Sequence, residues 1–254
     1  MSPPTTALQR TYRYLRLTLV GAVVAIFTAV AVAASDVGWL PSLSDYYYSP
    51  ARTTFTGALF VAAAVLLALS GRGPERALLD ACAVLAPLIA LIPTPHIPPA
   101  ALPDVANGIT TYLVITTLAL IVAVTLTLTG DMPVAGVAAS GSVAALVILT
   151  LGLAWMLAPH AVLTHGHVIA TVAFFALFGA VAILHAFPRT TAPPPRALRV
   201  IYTGIAALLG LVLVAYLTTS NVVLLAESVA LALFAVFWIV QSIEKWNDPD
   251  PSLR

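Results

Sequence analysis

Long apolar runs dominate the chain, broken by short clusters of proline, glycine and charged residues. Eight runs can be counted, at approximately 17–34, 54–70, 77–93, 109–129, 134–158, 168–187, 199–217 and 222–243. A bilayer core about 30 Å thick is crossed by roughly 17–25 apolar residues in a helix. The pattern therefore predicts an all-α polytopic bundle of eight transmembrane helices. The breaks read as turns: Gly71 to Pro74, Pro93 to Pro103, Gly130 to Pro133, Pro188 to Pro195, and Thr218 to Asn221. None is long enough for a second folded unit, so residues 1–254 read as one integral membrane domain. No internal repeat is visible, and the inverted-repeat pattern of many transporters is not seen.

Composition agrees with that pattern. Apolar residues make up 61% of the 254 and charged residues 8%, where a soluble domain carries about a quarter charged. This excludes a soluble globular protein and a disordered chain. A net charge of +1 supplies no basic surface for nucleic acid. The lone cysteine, Cys82, excludes a disulfide scaffold. Many Ala, Val and Arg beside one Lys suggest a GC-rich bacterial genome.

The basic residues set the orientation. With the N-terminus cytoplasmic, the inner segments hold Arg10, Arg13, Arg16, Arg72, Arg76, Arg189, Arg196, Arg199, Lys245 and Arg254, and the outer segments hold Arg52 alone. A wrong span count would scramble this division. Tyrosine and tryptophan fall near the helix ends, as interfacial belts require. The expected location is the plasma membrane, multi-pass. The first run has a rival reading: Arg10 to Arg16, an apolar stretch and Ala29-Val30-Ala31 or Ala31-Val32-Ala33 resemble a secretory signal, which on cleavage would leave seven spans. The fifth run is rich in Gly, Ala and Ser, which allow close helix approach in lipid, and is expected inside the bundle.

Ionisable groups within a membrane are costly and often functional. Most fall on the predicted outer side: Asp45, Tyr46, Tyr47 and Arg52 before the second run, His96 and Asp104 in the proline-rich loop, and His160, His165 and His167 before the sixth. Glu227 lies roughly 8 Å below the outer end of the last helix. A carboxylate there must be protonated, paired or metal-bound. Two readings follow: an outward polar pocket, or a buried ion pair or hydrogen bond that fixes the last helix. His165-Gly166-His167 could hold zinc if His165 is still in the loop, with His160, Asp45 or Glu227 as third ligand. Asp80 is explained by Arg76 four residues earlier, and His185 reads as interfacial. A retinal pump is excluded because the only lysine, Lys245, lies beyond the last span. Paired haems lack histidines at matching depths on two helices.

Pro41-Ser42-Leu43-Ser44-Asp45, then Pro50 and Phe55-Thr56-Gly57-Ala58-Leu59, resembles the first outer loop and second helix of the Frag1/DRAM/Sfk1 membrane family. It also resembles bacterial multi-span proteins with a Ser-x-Tyr-Tyr-Tyr loop. His165 or His167 with Ala170 and Phe174-Phe175 is similar to that family's histidine-led helix. Glu227, the run Phe234 to Trp238 and the tail Glu244 to Trp246 resemble its last helix. The family pattern usually has six helices. A His, Asp and Ser set is more loosely similar to the CREST membrane hydrolases. These resemblances imply membrane lipids as partners and a role in lipid handling or envelope homeostasis. In the enzymatic form, His165, His167 and a carboxylate hold zinc, Asp45 or Glu227 is the base, and Arg52 with Tyr46, Tyr47 and His160 binds the ligand. A proton-coupled transporter using Asp80 and Glu227, and a non-catalytic scaffold, are the alternatives.

Overall fold

The computed structural model describes residues 6–70, 75–94, 97–131, 134–188 and 194–248, the side chains of 135–137 apart. Eight long helices follow in order: α1 (Ala7–Val37), α2 (Arg52–Leu69), α3 (Arg76–Leu91), α4 (Leu102–Leu128), α5 (Val134–Leu157), α6 (Pro159–Ala186), α7 (Arg196–Thr218) and α8 (Val223–Glu244). Seven are long and apolar enough to cross a membrane. The exception is α3, whose 16 residues extend only about 24 Å. It is also the most enclosed helix, buried from Leu79 to Ala83 and from Leu85 to Ala90. A helix shielded by neighbours does not have to match the lipid thickness by itself.

Six helices close a ring, with contacts α1–α2, α2–α3, α3–α6, α6–α7, α7–α8 and α8–α1. The α4–α5 hairpin packs on its outside, mainly against α3. This corrects the expectation for α5. None of its described residues is buried, so its small side chains face lipid or the neighbouring helices at the edge. A narrow surface permits close packing but does not require a central position.

The α1 helix belongs to the ring. Arg16, only 2% exposed, donates from Nε to the Gln241 side-chain oxygen at 3.0 Å, and Gln241 bonds the His185 ring at 3.2 Å. Tyr202 donates to Glu244 at 2.6 Å, and Arg13 lies over the Trp246 ring. His185 is therefore held in a network that joins α1, α6 and α8 at the inner end, with the Tyr202 ring of α7 beside it. Asp80 meets Arg76 at 3.7 Å, as expected from spacing, and also accepts from Ser140 of α5.

Helix α6 begins at Pro159, well before the apolar run. Proline at the first helical position has its φ preset and no amide to satisfy, so the three-histidine stretch is helix and not loop. Likewise α4 begins at Leu102, with Pro103 in its first turn.

Candidate functional site

The segment between α1 and α2 is fastened from within. Gly38, at φ 79°, ends α1, a conformation glycine adopts without a Cβ penalty. The Tyr46 hydroxyl donates to the Gly38 carbonyl at 3.0 Å and accepts from the Leu40 amide at 3.2 Å. Ser42 and Asp45 cap each other's backbone amides at 3.1 and 3.0 Å, starting the short 3-10 turn Ser44–Tyr48. Leu224 of α8 donates its amide to Pro41 at 3.0 Å. These bonds carry Ser44 to the top of the ring.

There Ser44, His167 and Glu227 meet. Glu227 Oε2 accepts from the Leu43 amide at 2.6 Å and the Ser44 amide at 3.4 Å. Its Oε1 lies 3.0 Å from Ser44 Oγ and 3.8 Å from His167 Nε2. Ser44 Oγ is also 2.8 Å from His167 Nε2. The other ring nitrogen, Nδ1, lies 2.8 Å from the Ile92 carbonyl. A carbonyl only accepts, so Nδ1 carries a hydrogen. Thr171 Oγ1 stands 3.4 Å from Nε2. His167 and Glu227 are 2% and 7% exposed.

One glycine contact helps place the imidazole. A Cβ on Gly166 would stand 2.9 Å from Ile92 Cδ1 and 3.2 Å from its Cγ2, so a side chain here would force Ile92, at the end of α3, to shift. This close approach brings the Ile92 carbonyl to His167.

The remaining predicted residues divide. Asp45 lines the same outward cavity as His167 and Glu227, with one carboxylate oxygen engaged by Ser42. Arg52 forms an ion pair with Asp104 at 2.9 Å, bonds the Tyr47 hydroxyl at 2.8 Å and covers the Tyr47 ring; it clamps the loop to α4 instead of reaching Glu227. Tyr46 is the internal staple of the loop. Burial, then Tyr47 and Asp45, push the neighbouring Tyr48 phenol up to about 12. His160 is exposed beside Thr164. His165 lines a separate groove between α3, α5 and α6. Two residues apart on a helix, side chains diverge by about 200°, so His165 and His167 face different surroundings. His96 lies outside the described residues.

This arrangement does not fit zinc. Both His167 nitrogens already have protein partners, His165 points elsewhere, and no three His, Cys, Asp or Glu side chains converge among the described residues. Ser44, absent from the predicted site, links the other two groups. Its sequence signal is a small hydroxyl at the head of the Ser-x-Tyr-Tyr-Tyr loop, and nothing local directs it toward His167 or Glu227.

Two cavities adjoin the trio. The outward one has a volume of 610 Å³, inside the roughly 300–1,000 Å³ range of small-ligand sites, and is lined by Ser42, Asp45, Thr94, His167, Tyr216 and Glu227, with Val168, Leu217 and Val223 as apolar wall. The inner one, 50 Å³, lies within the ring beneath Ser44 and Glu227 and is walled by apolar side chains of α1, α2, α3, α6 and α8. Below it Phe174, Phe178, Phe234, Phe237 and Trp238 form a continuous ring cluster. Glu227 borders both cavities. In comparison with known proteins, the chain matches no family model, no curated protein and no solved structure.

Proposed function

We propose that the chain is a bacterial plasma-membrane protein that holds a lipid-like amphiphile at its outer face. One observation carries this reading. Two buried ionisable groups, His167 and Glu227, line a 610 Å³ cavity whose remaining wall includes Val168, Leu217 and Val223. A polar head group finds donors and acceptors there, and an apolar portion finds the α6–α8 wall. The test is photo-crosslinking in nanodiscs with a diazirine phospholipid, followed by peptide mapping. Adducts concentrated on Val168, Leu217 and Val223 support the reading. Adducts spread evenly over the lipid-facing sides of α4 and α5 overturn it.

A carrier is the second reading. The bundle axis runs from outer cavity to polar trio, apolar inner cavity, aromatic cluster and inner Arg16–Gln241–His185 network. That order places a barrier between two polar ends. Substrate-dependent proton movement in proteoliposomes, lost in Glu227→Gln, is the result this reading requires. A scaffold role predicts instead that Glu227→Gln alters stability alone.

A further inference from the structure

Hydrogen counting at the trio leads beyond either reading. Ser44 Oγ lies within hydrogen-bond distance of two acceptors, His167 Nε2 at 2.8 Å and Glu227 Oε1 at 3.0 Å. At such separations a hydrogen must lie between the two heavy atoms, since facing lone pairs repel. Serine has one hydrogen to give. The Nδ1 hydrogen of His167 is already directed at Ile92. A neutral imidazole and an ionised carboxylate therefore leave one of the two contacts without a hydrogen.

We propose that Ser44, His167 and Glu227 form a binding site for a single proton, reached from the outer cavity. Two arrangements satisfy every atom. In one, His167 is an imidazolium that donates from Nε2 to Ser44 Oγ, and Ser44 donates to an ionised Glu227. In the other, a protonated Glu227 Oε1 donates to Ser44 Oγ, and Ser44 donates to a neutral His167. Each holds the same proton and the same net charge of zero over the trio. Shifting two hydrogens along the Ser44 hydroxyl interconverts them. No bond between heavy atoms changes, so the serine acts as a relay.

The surroundings favour a neutral trio. Glu227 and His167 are removed from water, and an unbalanced charge there is costly. From the turn before α2 the other titratable group on the outer cavity is Asp45, and from α7 it is Tyr216. Beyond α3, Ile92 contributes a carbonyl and Thr94 a hydroxyl. The α1 and α2 faces of the inner cavity present only Ala22, Val23, Ile26, Phe55, Ala58, Leu59 and Ala62. Among these described residues no lysine or arginine is present to balance a lone Glu227 carboxylate. Once the proton leaves, one short contact must lengthen. Thr171, at 3.4 Å from Nε2, is placed to receive the released imidazole, which would loosen the loop from α6. The site stands whether or not an amphiphile occupies the outer cavity.

The test is nitrogen NMR of full-length protein in nanodiscs at neutral pH, labelled in histidine, combined with infrared detection of carboxylic acid. His167→Gln assigns the imidazole signal, and Ser44→Ala, which perturbs the same signal, serves if that variant does not fold. The proposal expects either both His167 nitrogens protonated, or a carboxylic-acid band that Glu227→Gln removes. A His167 protonated only at Nδ1, together with no Glu227 acid band, overturns it. An amphiphile that crosslinks normally alongside that negative result leaves the lipid reading intact and removes the proton site alone.

Discussion

At Glu227 a single side chain satisfies two backbone amides and a hydroxyl, so the chemistry of its replacement decides the outcome. In Glu227→Gln the amide oxygen can still accept from Leu43 and Ser44, and its NH2 can donate to Ser44 Oγ. Ser44 then donates to His167, and every atom is paired without an added proton. In Glu227→Ala the Leu43 and Ser44 amides lose their partner. Each buried group left unsatisfied costs about 1–3 kcal/mol. Thermal unfolding in detergent is expected to show the alanine variant well below the glutamine variant. Equal losses in the two would contradict this hydrogen-bond assignment. Ser44→Ala is expected to fall between them, because it leaves His167 Nε2 and Glu227 Oε1 without the hydroxyl that bridges them while sparing the carboxylate's backbone bonds.

At the scale of elements, the contact between the end of α3 and α6 sets the imidazole. Gly166→Val would drive a side chain into Ile92, whose Cδ1 stands 2.9 Å from the added Cβ. Overpacking of this kind costs about 1–3 kcal/mol, and here it also draws the Ile92 carbonyl away from His167 Nδ1. Thermal shift gives the first effect and the His167 nitrogen spectrum the second. A stable variant with an unchanged Nδ1 signal would show that the close approach is dispensable. The same element shows where sequence reading stopped short. Hydropathy places the start of the sixth run at 168, yet α6 starts at Pro159, because proline, His160 and His165 are tolerated on the exposed side of its first turns and His167 finds buried partners. Starting the helix there separates His165 from His167, so the proposed metal pair becomes two side chains on different faces.

Across the whole molecule, the ring closes through α1. Arg16→Leu removes the guanidinium that donates to the Gln241 side-chain oxygen, and a loss of about 1–3 kcal/mol is expected, read as a lower unfolding temperature. Orientation has a direct test as well. Cys82 is buried and 0% exposed, so the native chain should not react with a membrane-impermeant maleimide. Trp39→Cys, at an exposed position near the outer end, should label on intact cells. Labelling only after the membrane is opened would invert the topology.

Periodicity and charge alone were enough to give an all-helical membrane bundle with eight helices, because lipid requires every backbone group to be paired within its own helix and because the count of apolar residues follows the bilayer thickness. The placement of Glu227 in the early turns of α8 was legible for the same reason. What only the fold decided is neighbourhood. Helices in lipid look alike from the sequence, since lipid tails are as apolar as their side chains. Hydropathy therefore says nothing about which helix lies inside, and α3 took the enclosed place where the small residues of α5 had suggested otherwise. The meeting of Ser44, His167 and Glu227 depends on a loop stapled by Tyr46 and on one glycine contact. Those distances across the bundle are set by packing between residues as far apart in the chain as Leu43 and Glu227, and no local pattern encodes the whole meeting.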